Sequence, residues 1–240
     1  MTDVVTVLRK ELAELFGDRH SVYGAMIQTA ILVALCGVVV PLDRPTVWRD
    51  AGAVAMLYGV FPAVLAATFA ADAFAGERER RTLETVLATP IAARSLFLGK
   101  LAAAVALALL GALVAMTTGA ISATAAAGAL PPALTARHAA MILLGATGYA
   151  TLTAVLATQI SMRVAVARTA QQAASMLSIA ITAGLALVLR RLHVDLDWDT
   201  LPRVAGAMVA LGAALVVGGD GGFRRHRIFD PDGPPPPPPG

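Results

Sequence analysis

Along the chain, long runs without a charged residue alternate with short charged segments. The uncharged runs occupy residues 21–42, 51–71, 101–136, 139–162, 169–189 and 204–219. Most exceed the roughly 20 residues that a helix rising about 1.5 Å per residue needs to cross hydrocarbon. They are apolar on every face, whereas barrel strands alternate apolar and polar positions, so α-helices are the spanning element that satisfies the backbone. The pattern predicts an all-α membrane protein with six transmembrane helices, at about 21–42, 51–72, 101–122, 139–160, 170–189 and 203–219. The 101–136 run is too long for one span, and Gly128 with the Pro131-Pro132 pair predicts a turn near its end. The last run is the shortest, and its helix is expected to take in Leu201 and Pro202. Residues 1–20 precede this transmembrane domain (21–219), and a tail, 220–240, follows it.

Composition sharpens the class. The chain is 57% hydrophobic and 15% charged with mean hydropathy +0.71, against about 25% charged residues in soluble domains, which excludes a soluble globule. The first apolar run is longer than the roughly 7–15 residues of a signal-peptide core and lacks a small-residue cleavage pattern, so the helix is expected to be retained. Cys36, the only cysteine, lies inside that run; it allows no intrachain disulfide and is expected to pack. With the N-terminus inside, thirteen of the nineteen basic residues fall in cytoplasmic segments, which places both termini in the cytoplasm of a multi-pass protein of the cell membrane. The pI near 9.5 follows from this topology and from contact with membrane lipids, not from a nucleic-acid partner. External connections at 41–50, 123–138 and 190–203 are too short for a folded domain.

Two cytoplasmic elements stand out. In the N-terminal segment Val5, Leu8, Leu12, Leu15 and Phe16 recur at three- and four-residue intervals, with Arg9, Lys10, Glu14 and Asp18 off that stripe, predicting an amphipathic interfacial helix released by Gly17. The second element is "GERERRTLETVLATPIAARSLFLGK", residues 76–100. Its first half, 77–88, predicts a short helix with Leu83, Val86 and Leu87 as an apolar patch. Glu77 with Arg81, and Arg80 with Glu84, stand four apart, and Pro90 ends the element. Exposed ion pairs contribute only about 0–1 kcal/mol each, so this density of charge suits partner docking better than fold stability.

At these residues the sequence resembles the membrane subunit of ABC type-2 (ABC-2) exporters, in which a glutamate-rich segment, a Thr-Leu-Glu step, a Leu-x-Thr/Ser-Pro turn and a Gly-Lys leading into the third span recur. The resemblance implies a permease subunit of an ATP-driven exporter whose short coupling helix docks on a separate ABC-type ATP-binding subunit. Two six-helix halves, expected to be two copies of this chain, would enclose the path of a drug-, lipid- or glycan-like substrate. Carried over, Glu77, Glu79, Arg80, Thr82, Leu83 and Glu84 become docking residues, and Pro90 fixes the turn into the third span. The family often has glycine where this chain has Arg81.

No phosphate-cradling loop is present, since Gly99-Lys100 is followed by Leu101 and lacks an earlier glycine at the required spacing. The chain is therefore expected not to be an enzyme itself and to bind no cofactor or metal, with ATP and magnesium held by the partner. Alternatives are a haem-exporter-type permease, which shares the six-span layout, and a non-transporting scaffold. The aspartates at 195, 197 and 199 are expected to form a solvated loop with Trp198 at headgroup level. Small residues four apart in the third span (Gly111, Ala115, Gly119; Ala104, Ala108, Ala112) are expected to pack closely on neighbouring helices. The tail "FDPDGPPPPPPG" is expected to be disordered.

Overall fold

The computed structural model describes residues 2–17, 19–82, 91–131, 135–164 and 166–218, which form helices and turns with no strand among them. Helix α1 is Thr2–Gly17 and α2 is Arg19–Leu32. The latter continues through a π-helical segment, Val33–Val39, into α3, Val40–Asp43. A 3₁₀ turn, Pro45–Arg49, leads to α4, Ala51–Ala55, which runs through a second π segment, Met56–Val60, into α5, Phe61–Glu79. Then follow α6 (Ala93–Ala127), α7 (Ala136–Ser161), α8 (Ala167–Arg191) and α9 (Leu201–Gly218).

Five helical stretches are long and apolar enough to cross a membrane: Met26–Asp43, Ala51–Glu79, Arg94–Ala127, Ala136–Ser161 and Ala167–Arg191. Leu201–Val217 is a shorter apolar helix. The 18 residues of α9 rise about 27 Å, a little less than the roughly 30 Å of hydrocarbon.

Both π segments end just before a proline, Pro41 and Pro62. In π register the Val40 amide donates to the Leu35 carbonyl, so the next carbonyl, of Cys36, faces the nitrogen of Pro41, which carries no hydrogen. The Tyr58 hydroxyl donates to the Cys36 carbonyl instead, at 3.2 Å, joining one π segment to the other. Tyr58 is fully buried, stacks on Trp48 at 5.1 Å between centroids, and needs Gly119: a Cβ there would lie 2.2 Å from its hydroxyl.

Helix α5 sits at the centre against α6, α7 and α8. Its inner surface is nearly all alanine (Ala63, Ala66, Ala67, Ala70, Ala71), facing Ala104 and Ala108 of α6 and Ala150, Ala154 and Ala157 of α7. Small side chains let backbones approach, which replaces the hydrophobic driving force that lipid does not supply. The close approach expected of the third span is present: Ala104, Ala108, Ala112 and Ala115 are buried, and a Cβ on Gly111 would meet Leu65 at 3.0 Å. Helix α6 stops at Gly128, which adopts φ 71°, a conformation glycine enters without a Cβ penalty.

One expected boundary differs. Residues 77–79 do not open a separate helix; they close α5, which runs past 72 to Glu79 before Arg80 and Arg81 turn the chain. Residues 83–90, which hold Leu83, Glu84 and Pro90, lie outside the described residues, as do residues 219–240.

Candidate functional site

The end of α5 is built as a Schellman turn. The Thr82 amide donates to the Glu77 carbonyl (2.9 Å) and the Arg81 amide to that of Arg78 (3.1 Å), with Arg81 left-handed at φ 58°. This is the position where glycine is preferred, because a Cβ strains the left-handed conformation by about 1–2 kcal/mol. The glycine common in the resembling proteins at Arg81 thus has a backbone explanation, and this chain makes the same turn with an arginine.

Four successive charged residues then reach four directions. Glu77 points inward, where Lys100 Nζ of α6 lies 2.8 Å from both Glu77 Oε1 and Glu11 Oε1 of α1. Lys10 stands 3.7 Å from Glu77 and 3.6 Å from Glu11. The Lys100 side chain is 1% exposed and that of Glu77 7%, and Lys100 also lies 5.5 Å from the centre of the Phe74 ring. Two cations and two carboxylates balance, as burial requires. Glu77 Oε2 has no hydrogen-bond partner among the described residues.

Arg78 donates to the carbonyls of Val164 (2.5 Å) and Met162 (3.2 Å) in the α7–α8 connection. Glu79 Oε2 accepts from the Ala167 amide at 3.1 Å, setting a carboxylate on the first turn of α8, where the helix dipole favours it. Arg80 reaches back to Asp72 at 3.1 Å. Ser161 Oγ, at the end of α7, accepts from the Phe74 and Ala75 amides at 3.1 and 2.9 Å. One turn of α5 is thereby bracketed to α1, α6, α7 and α8, while Arg80, Arg81 and Thr82 face outward.

The i, i+4 pairing expected between Glu77 and Arg81 does not form, because the left-handed turn at Arg81 takes it off the helix and Lys100 takes Glu77. For Arg80 the partner found is Asp72; Glu84 lies outside the described residues. On α1, Leu8 and Leu12 are half-buried. Leu15 and Phe16 are within the helix, but their side chains are outside the description. The face of α1 that meets the bundle carries Val7, 1% exposed. It sits over Gly99, where a Cβ would come within 2.5 Å of Val7 and 3.1 Å of the Val4 carbonyl. Val4, Val7 and Glu11 lie about a quarter turn from the Leu8–Leu12 stripe at 100° per residue, so the stripe and the contact face are adjacent surfaces of one helix.

Sequence patterning singled out Glu77, Glu79 and Arg80 but not Arg78, Glu11 or Asp72. A usable signal existed for Lys100: it stands seven residues inside a helix that begins at Ala93, about a turn and a half past Arg94, and the helix is apolar beyond it.

At the opposite end, Asp197 accepts from the amides of Asp199 (3.0 Å) and Thr200 (2.7 Å). These bonds, that from Thr200 foremost, hold its carboxyl below the usual range. Asp199 pairs with Arg137 at 3.0 Å, and Trp198 lies against His138 at 4.2 Å. The Asp197 carboxylate thus serves a turn and that of Asp199 an ion pair. Among the described residues no group of three or more His, Cys, Asp or Glu is placed to hold a metal ion.

A family model described as ABC-2 family transporter protein matches residues 11–190, three quarters of the chain and all of the bracket from Glu11 to Ala167. The chain belongs to the ABC-2 transporter family. No curated protein matches it. Membrane proteins of the ABC-2 family generally pair with ABC ATP-binding subunits, so membership implies a permease subunit. The family match ends at Arg190, before the Asp195–Asp199 turn and α9.

Proposed function

We propose that this chain is the membrane permease of an ATP-driven exporter and that the turn leaving α5 docks on a separate ATP-binding subunit. It crosses the cell membrane six times, with Leu201–Gly218 as the sixth span and both termini in the cytoplasm. Helix α1 lies along the inner leaflet, with Leu8, Leu12, Leu15 and Phe16 in the acyl boundary. Two copies enclose the path of a drug-, lipid- or glycan-like substrate and engage two ATP-binding subunits, which hold ATP and magnesium and carry out hydrolysis.

The observation that carries the reading is the bracket. A segment that a partner pulls must transmit its displacement, and Glu77, Arg78 and Glu79 tie the turn to α1, α6 and the α7–α8 connection by contacts of 2.5–3.2 Å. Closure of the ATP-binding subunits against Arg80, Arg81, Thr82 and the following 83–90 segment, including Leu83, Glu84 and Pro90, then moves several helices together, as alternating access requires. Of the residues that the resemblance assigns to docking, Glu77 and Glu79 face the bundle and work as levers, while Arg80 and Thr82 meet the partner.

The test is co-expression with an ABC ATP-binding subunit and reconstitution in vesicles. Co-purification and ATP hydrolysis stimulated by the permease are expected, with both reduced at least about tenfold by combined Arg80→Glu and Thr82→Arg, a loss of roughly 1.4 kcal/mol of docking energy or more. Absence of both co-purification and ATP-stimulated activity overturns the reading and favours a scaffold.

A further inference from the structure

Away from α1, the bundle opens. Helix α8 is held through Ala170, Ala174 and Ser178, four residues apart and buried. The Tyr149 hydroxyl fastens it further by donating to the Ser178 carbonyl (2.9 Å) and meeting the Thr182 hydroxyl. Beyond Ser178 no residue of α8 is buried. Its remaining turns stand off from α4, α7 and α9 and leave a cavity of about 480 Å³.

The α8 wall is one helical face, Thr182, Leu185, Ala186, Leu189 and Arg190. Met56, Ile142 and Met208 are among the opposing residues. The hydroxyls at its floor are already bonded, so the interior offers apolar contact and no free polar anchor. Charge appears with Arg190, in the last turn of α8, and Asp195, in the connection that follows. Both line the cavity, and neither forms an ion pair among the described residues.

We propose that this cavity binds one acyl chain of a zwitterionic amphiphile, with a headgroup phosphate on Arg190 and an ammonium on Asp195. A cavity of about 480 Å³ falls in the range of sites that hold a small organic molecule and has room for a single acyl chain. A purely anionic head would meet Asp195, and an uncharged one would leave Arg190 without a partner. This binding does not rest on the permease reading.

The full chain in non-ionic detergent is labelled with a photoactivatable lysophosphatidylethanolamine carrying a sixteen-carbon chain. Unlabelled lysophosphatidylethanolamine, lysophosphatidylglycerol and monoacylglycerol of the same chain length then compete. The zwitterion should displace the label about tenfold better than either competitor, the worth of one charge-assisted contact. Ala186→Phe, which puts a ring into the cavity, should weaken labelling, while Ala183→Phe on the exposed face of the same helix should leave it intact. Arg190→Gln, at an exposed site that does not threaten folding, should weaken the zwitterion about tenfold and the glyceride not at all. Equal displacement by all three lipids, labelling that Ala186→Phe leaves unchanged, or indifference to Arg190→Gln overturns the proposal. Because the ATP-binding subunit is absent from this assay, lack of binding alongside ATP-stimulated activity overturns only this inference. Binding without an associating ATP-binding subunit overturns only the permease reading.

Discussion

Replacing Lys100 by methionine tests the bracket at its centre. The ammonium is 2.8 Å from both Glu11 and Glu77. Its removal strands a Glu77 carboxylate that is 7% exposed and already has one oxygen without a hydrogen bond among the described residues. Removing one partner of a buried pair costs about 3–5 kcal/mol, because the remaining charge keeps its desolvation penalty. Lys10, 39% exposed and 3.7 Å from Glu77, is placed to move in and recover part of this, leaving a net loss of about 2 kcal/mol. For a chain of this size that lowers the melting temperature by about 4–8 °C. The double variant Lys100→Met with Glu77→Gln removes the stranded charge and should regain at least about 1 kcal/mol of the loss, as coupling between contacting residues predicts. Adding Lys10→Ala to Lys100→Met should deepen it. Thermal unfolding of the detergent-solubilised chain, followed by fluorescence, reads these three variants and the Glu77→Gln single variant. A Lys100→Met protein that melts with the wild type, or a double variant whose loss equals the sum of the singles, refutes the reasoning.

Three further outcomes follow from particular contacts. Arg81→Gly relieves a left-handed arginine and should raise stability by about 1 kcal/mol in the same melt, whereas a lower melting temperature would mean that the Arg81 side chain holds the turn. Tyr58→Phe leaves the Cys36 carbonyl without its donor beside Pro41 and should cost about 1–3 kcal/mol; a neutral result would show that this carbonyl has another partner. Asp197 has a depressed pKa, so its stabilising bonds are fully present above the unfolded carboxyl value near 3.9 and are lost as pH falls through the lower folded value. The fluorescence of Trp198, read with Trp48→Phe and His138→Asn as background because the His138 ring lies against this indole, should therefore change only below about pH 4, and a transition nearer neutrality would contradict the assignment.

Patterning along the chain makes the helices legible because lipid demands continuous apolar surface, and no other arrangement of these runs satisfies the backbone. Gly128 as a stop was equally legible, since a glycine before a proline pair signals a turn whatever packs around it. The beginning of the charged element was not. The 3.6-residue spacing of residues 77–88 is compatible with a new helix or with the last turn of an old one, and the choice fell to Lys100, Ser161 and the left-handed Arg81. Tertiary partners decided the site in the same way: Glu77 looks like any exposed glutamate until α1 and α6 bring Glu11 and Lys100 to it. The π segments were hidden as well, although Pro41 and Pro62 marked where an amide would be missing. The standing-off of α8 has no signature in its apolar run, because a face turned to lipid and a face lining a cavity have the same composition.

The central claim is that the turn after the second span meets an ATP-binding subunit. It is tested most directly by placing a photo-crosslinking side chain at Thr82, or at Arg137 at the opposite end of the bundle, in cells that co-express the ATP-binding subunit. An adduct with that subunit from position 82 and none from position 137 is the expected result. No adduct from position 82, or one from position 137, would contradict the account.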